Sequence, residues 1–438
     1  MYISLNDRPS SRTGGQVTRS RGGRVSSVIV TLGVVSLLTD ISSESVAAVL
    51  PLYLTTALGL STIAYGFIDG LMQGASALVR VAGGWAADRG DRPKWVAFVG
   101  YGLSALTRGG LALAGGFAAV TALVAVDRVG KGIRTAPRDA MISAEADPDH
   151  VARAFGVHRM LDTIGAALGP LIAFVVLWAV PDGYTTVFVV SFGFAVIGVA
   201  VLGFLVPDRR PRADAARAAR VVDTLTPAGP APSRQFSWRH LTDPRLRRLF
   251  LVAGVLGLLT IGDGFIYLAL QNRDGFATQW FPLLYVGTNV AYLLLAIPVG
   301  RLADRVGRAK VLVAGHLALV AAYLCAGLQT GTAVLTVGTL ALLGVFYAAT
   351  DGVLAALAGR LADPSARASA IGTAQTVVAV ARMVAATGFG VLWYLVGPST
   401  AMLAAAGALL AAVAVGSHLA RTLDAAPAAD SALPTGDA

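Results

Sequence analysis

The chain has 438 residues, of which 55% are hydrophobic and only 14% charged. Soluble domains run near one-quarter charged, and a mean hydropathy of +0.67 excludes that class. The net charge of +10 does not point to nucleic acid: the Lys and Arg residues fall in short breaks between apolar runs, as in loops facing anionic lipid.

A membrane-crossing helix needs roughly 20 apolar residues. Residues 1–26 are polar and carry five arginines, and read as a cytoplasmic tail, not a cleaved signal peptide. Six apolar runs follow, at 27–54, 62–86, 95–115, 119–140, 153–178 and 184–206. Residues 207–245 form an Arg-, Pro- and Ala-rich linker, in which Phe236 and Trp238 read as an interfacial anchor. Asp243-Pro244 has the form of a helix cap with Pro at the first position. Six more runs lie at 246–271, 280–301, 309–328, 332–358, 367–392 and 397–420, before a second tail at 421–438. Cys325, the single cysteine, lies in one of them and can form no internal disulfide.

Arg and Lys concentrate in alternate breaks, so both termini and the linker are expected on the cytoplasmic side of the cell membrane. The chain also repeats itself at an offset of 216 residues. GGWAADRGDRPK at 83–94 aligns with VGRLADRVGRAK at 299–310, with identity at Gly84/Gly300, Ala87/Ala303, Asp88/Asp304, Arg89/Arg305, Arg92/Arg308 and Lys94/Lys310. The same offset pairs Asp147-Pro148 with Asp363-Pro364. Two six-span halves in one orientation, joined by a long loop, is a transporter plan.

At these residues the chain resembles the major facilitator superfamily, across about residues 27–420, and the stretch DRVGKGIRTAPRD at 127–139 resembles that of a bacterial branch of its permeases. The loop pattern G-x-x-x-D-R-x-G-R-[RK] stands at Gly84–Lys94, with its second glycine displaced, and at Gly300–Lys310. The resemblance implies an all-α membrane protein with twelve transmembrane helices in two pseudo-symmetric six-helix bundles. It also implies a conformational latch formed by Asp88 and Arg92, and by Asp304 and Arg308; the plainer alternative is a solvated turn that sets topology. Arg128-Val129-Gly130-Lys131-Gly132 resembles the family's R-x-x-Q-G pattern of span 4, linked there to proton coupling, with Lys131 in place of glutamine. Gly156, Gly165, Gly169 and Pro170 fit a span 5 pattern that the family's proton-antiporting exporters share; helix packing alone is the alternative.

Ionisable residues inside a span need a partner or a task. Asp40 and Glu44 lie four apart, on one face of span 1. Two carboxylates so close in a medium of low dielectric should not both be ionised, which suits a proton carrier or a hydrogen-bonded structural pair. Arg128, Lys131, Arg134 and Arg138 share a broad face of span 4, and the repeat maps them to Gly344, Tyr347, Thr350 and Leu354. That charge therefore belongs to the N-terminal half alone. Arg128 is the leading transport residue; an ion pair with Asp127, Asp40 or Glu44 is the alternative. His158, Arg159 and Asp162 near the start of span 5 suggest a gate or salt-bridge network.

Asp69 and Gln73 share a face of span 2. In span 7, Gly262-Asp263-Gly264 precedes Tyr267, and glycines flanking an acid permit local unwinding. Asn289, Asp351 and Arg382 complete the candidate cavity lining, Arg382 being a lone cation in a span of the second half. There is no P-loop, no His/Cys cluster and no nucleophile elbow, so neither cofactor, metal nor enzymatic activity is expected. The expectation is a monomeric secondary transporter exchanging a small solute with H⁺ across the bilayer, in the export direction. Uptake or exchange of an anionic metabolite or metal chelate is the alternative within transport, and a receptor or scaffold the alternative outside it.

Overall fold

The computed structural model describes residues 25–147, 150–208, 243–363 and 366–420, with backbone alone for 80–90, 368, 419 and 420. The apolar runs of the first half fold as α1 (Ser27–Leu52), α2 (Thr62–Gly90), α3 (Pro93–Leu111), α4 (Phe117–Glu145), α5 (Val151–Ala179) and α6 (Tyr184–Leu205). The seventh run is broken into α7 (Pro244–Leu258) and α8 (Asp263–Asp274). Then come α9 (Pro282–Val306), α10 (Arg308–Gly327), α11 (Ala333–Leu361), α12 (Arg367–Val396) and α13 (Pro398–Ala420). The helix pair α7–α8 counts as one span, so twelve spans result. The linker from 209 to 242, with Phe236 and Trp238, lies outside the described residues.

Local chemistry sets the helix starts. Ser26, Ser61 and Thr332 accept from the backbone N–H groups of Val28, Ala64 and Leu335 at 3.3, 3.3 and 3.2 Å. Asp243 Oδ1 accepts from Arg245 N at 2.6 Å, and Pro244 occupies the first turn. Among the described residues, nine helical spans are long and apolar enough to cross a membrane. The other three are α2, α3 and α4, which carry among other charges Asp69, Arg108, Asp127 and Arg128.

The face bearing the α2–α3 and α9–α10 turns is called the basic face, the other the far face. The two turns differ where the glycine of the loop pattern is displaced. Gly307 takes φ 117° where α9 ends, and its repeat partner Asp91 takes φ 47° where α2 ends. Asp tolerates the left-handed region better than most residues, so both turns use a positive φ at this position, although Gly307 (ψ 131°) and Asp91 (ψ 34°) differ in ψ.

In the first half α1 packs on α5 and α6, α4 on α2 and α3, and α3 on α6. In the second half α7 packs on α12 and α13, α11 on α9 and α10, and α10 on α13. Each pair maps onto its counterpart six spans later, as the 216-residue repeat demands. The halves meet through α2–α12 and α5–α9, themselves related by the same symmetry, and through α1 against α8.

Toward the far face the two halves interlock. A methyl on Gly70 would come within 2.6 Å of the Met383 oxygen, and one on Gly74 within 3.0 Å of the Ala379 oxygen; Gly66 and Gly390 meet in the same seam. Small residues four apart allow such backbone approach. Thr62 Oγ1 donates to Gly390 O at 3.0 Å, Thr278 Oγ1 to Asp182 Oδ1 at 3.1 Å, and the Phe174 and Trp280 rings stand 5.4 Å apart.

Candidate functional site

The charges of the first half fall into two groups. In the first, Asp127 on α4 is clamped by two arginines. Arg108 Nη2 from α3 reaches its Oδ1 at 2.9 Å, and Arg128 Nε reaches its Oδ2 at 3.0 Å. All three side chains are less than a tenth exposed. Beside them α3 and α4 touch at Gly100 and Gly130, each facing the other's carbonyl oxygen. Arg134 lies 4.4 Å from the centre of the Tyr101 ring. Arg128 therefore pairs with Asp127, not with Asp40 or Glu44. On α4, Lys131 is within electrostatic reach of both carboxylates and Arg134 of Asp40. Asp127, one residue away, takes up the guanidinium expected to join a relay with Asp40 and Glu44.

The second group joins α1, α4 and α5. The Asp40 and Asp162 carboxyls lie in hydrogen-bonding reach of each other. Such a bond needs a proton on one of the two. Arg138 Nη1 approaches Asp162 at 3.9 Å and Ser36 Oγ at 3.3 Å, and its Nη2 holds Asp139 at 3.0 Å. Arg159 Nη1 reaches Asp162 Oδ2 at 3.1 Å, and His158 Nε2 stands 3.4 Å from Ser36 Oγ. Thus Asp40 is connected by neighbouring polar groups to exposed Arg159 near the basic end of α5. The close approach of α1 to α5 depends on Gly165, which faces the Leu37 backbone, and Gly169, where a methyl would come within 2.8 Å of Ser45 N. Gly156 does not share that packing: it is exposed, and a methyl there would meet nothing within 4 Å. Pro170 is buried inside α5.

The third cluster spans both halves. The seventh span unwinds between Leu258 and Asp263, next to the glycine-flanked acid. Tyr323 on α10 caps the break: its hydroxyl accepts from Ile261 N at 2.7 Å and donates to Leu259 O at 3.1 Å. Asp69 on α2 lays its carboxyl against Gly262, and Tyr65, one turn earlier, lays its hydroxyl against Gly264. Asp263 Oδ1 accepts from Tyr347 of α11 at 2.8 Å. Arg382 on α12 lies within electrostatic reach of both aspartates. Gln73 and Asn289 are half-buried.

Two expected lining residues lie elsewhere. Tyr267 is fully buried and donates to Thr288 of α9 at 2.7 Å, tying α8 to α9. Asp351 is exposed and accepts from Tyr292 at 3.4 Å. In the second loop pattern, Arg308 holds Asp304 at 2.8 Å and extends to the Ala356 oxygen of α11 at 3.4 Å. The Asp88 side chain lies outside the described residues, and Arg92 is exposed at the start of α3.

Sequence reasoning missed Arg108, Tyr323 and the α2 seam of Gly66, Gly70 and Gly74. The four-residue glycine spacing was a legible signal. Arg108 was legible as a buried cation in an apolar run, while Tyr323 gave no sign of its capping role.

The family model for the Major Facilitator Superfamily matches residues 32–291 and 272–435. An uncharacterised MFS-type transporter of Methanocaldococcus jannaschii is 29% identical over 378 residues, covering 83% of this chain and 87% of that protein. An uncharacterised protein of Mycobacterium tuberculosis is 30% identical over 349 residues, covering 78% of this chain and 81% of its own. Among solved structures, the nucleoside transporter NupG superposes with TM-score 0.72 at 15% identity, covering 90% of this chain and 99% of its own. A bacterial homologue of the human lysosomal transporter Spinster gives 0.70 at 15% identity, covering 92% and 98%. With the fold, the repeat and the family match in agreement, the chain is a multi-pass membrane transporter of the MFS type and belongs to the major facilitator superfamily.

Proposed function

We propose that this transporter is a proton-coupled secondary carrier that exports a small organic compound by alternating access. The observation that supports it best is the Asp40–Asp162 pair, two carboxyls of α1 and α5 in hydrogen-bonding reach of each other. Lys131 and Glu44 face it, and Arg138, His158 and Arg159 extend from it toward the basic face. A coupling carboxyl must exchange its proton with one side at a time, and this cluster has a polar route to one side. Closure toward the far face fits one end state of the cycle. The basic face is proposed to be cytoplasmic in the cell membrane, with Asp304 and Arg308, and Asp88 and Arg92, holding one state there. Export is favoured by the span 5 pattern, whose Gly165 and Gly169 seat α5 on α1.

Passage of an anionic solute is the second reading, prompted by the cationic face of α4. It is less well supported, because Asp127 and Asp139 already take up Arg128 and Arg138. The test is proteoliposomes with an imposed pH gradient and a panel of labelled solutes. Gradient-driven accumulation that Asp40→Asn abolishes supports the proposal. Accumulation indifferent to the gradient, or unchanged in the variant, overturns it.

A further inference from the structure

Two opposite charges face one region of the molecule without pairing. Asp69 on α2 is 8% exposed, and its Oδ2 has no hydrogen-bond partner among the described residues. Arg382 on α12 has a buried Nε with no partner there, and its guanidinium stands 5.8 Å from the Phe346 ring centre. The two residues come from opposite halves, and lie at one level: the adjacent residues Gly70 and Met383 meet in the seam. They are within electrostatic reach of each other, yet no ion pair joins them. The nearby Asp263 is already held by Tyr347.

Desolvated charges left apart are costly, and such a pair persists where something else completes it. The surroundings suit an apolar body. Tyr65 and Phe265 meet edge to face at 4.6 Å, and Phe265 meets Phe389 at 5.0 Å and Trp393 at 5.7 Å. Tyr285 and Tyr347 are half-buried on the adjoining helices.

We propose that this is a zwitterion site: the ammonium group of the solute binds Asp69, its carboxylate binds Arg382, and the aromatic side chains hold the rest. This rests on the transporter reading above and names the solute class. A solute with one charge leaves the other buried charge unmatched, which is the strongest available basis for rejecting it. Because Asp69 and Arg382 belong to different halves, a zwitterion bridges the two bundles.

The test is thermal-shift titration of the purified full-length protein with L-phenylalanine, its methyl ester and its N-acetyl derivative, and with the same three compounds built on L-leucine. At least one free amino acid should stabilise the protein at a concentration tenfold or more below both of its derivatives. Asp69→Asn should erase the preference over the N-acetyl compound alone. Arg382→Gln should erase the preference over the ester alone. The unliganded transition of each variant verifies that it is folded. No shift with any compound, equal response to amino acid and ester, or loss of both preferences in each variant overturns the site. If it fails while proton-driven flux of another solute persists, the transport reading stands. If the preferences appear but no solute crosses the vesicle membrane, the site stands and the transport reading falls.

Discussion

Asp127 has two guanidiniums on its two oxygens, and all three groups are out of water. Removing one partner of a buried ion pair strands the remaining charges and costs about 3–5 kcal/mol. Arg108→Ala should therefore lower thermal stability in detergent steeply, and a loss below about 1 kcal/mol would contradict the clamp. Arg128→Ala should show the same loss, so any transport defect in that variant must be compared with Arg108→Ala before it is assigned to coupling. A second residue-scale expectation concerns Tyr323. Tyr323→Phe leaves Ile261 N and Leu259 O without their partner, at about 1–3 kcal/mol. Hydrogen exchange at Ile261 should accelerate by about tenfold or more, and unchanged exchange would show that another group caps the break.

At the scale of elements, α2 and α12 decide closure of the far face. Gly66, Gly70 and Gly74 form one stripe, and their neighbours are backbone atoms that cannot rotate away: the Ala386, Met383 and Ala379 oxygens. Gly70→Val should hold the halves apart while leaving each half folded. In a Cys325→Ala background, a cysteine at Asn289 should then react with an impermeant maleimide supplied from the far face. The parent with glycine at position 70 should be protected from that side. Equal labelling would show that the seam is not the gate. The sequence pattern foretold the broken seventh span, because glycines flank its acid. It did not foretell that Asp69 and Tyr65 of α2 dock on those glycines, since one-dimensional spacing says nothing about which distant helix arrives.

At the scale of the whole molecule, the 216-residue repeat made the two-bundle fold legible, and equivalent helix pairs recur in both halves. The sites were legible only as types of residue at given depths. Asp40, Arg128 and Asp162 were visible as intramembrane charges, but their partners depend on how α1, α4 and α5 rotate about their axes. Rotation gave Arg128 to Asp127 and brought Asp162 to Asp40. That pairing separates two functions that a carrier combines. If Asp40 and Asp162 share the transported proton, Asp162→Asn can still hydrogen-bond Asp40 through its amide but can no longer take part in sharing it. Alternating access itself needs the seams between the bundles, which this substitution leaves untouched. The variant should therefore exchange labelled for unlabelled solute across vesicles at a rate within a few-fold of wild type, while losing at least tenfold in accumulation driven by a pH gradient. Both assays run on the same vesicles, so protein content cancels. Loss of exchange along with accumulation would assign Asp162 to structure through Arg138 and Arg159, and retention of both would move the coupling proton away from α5.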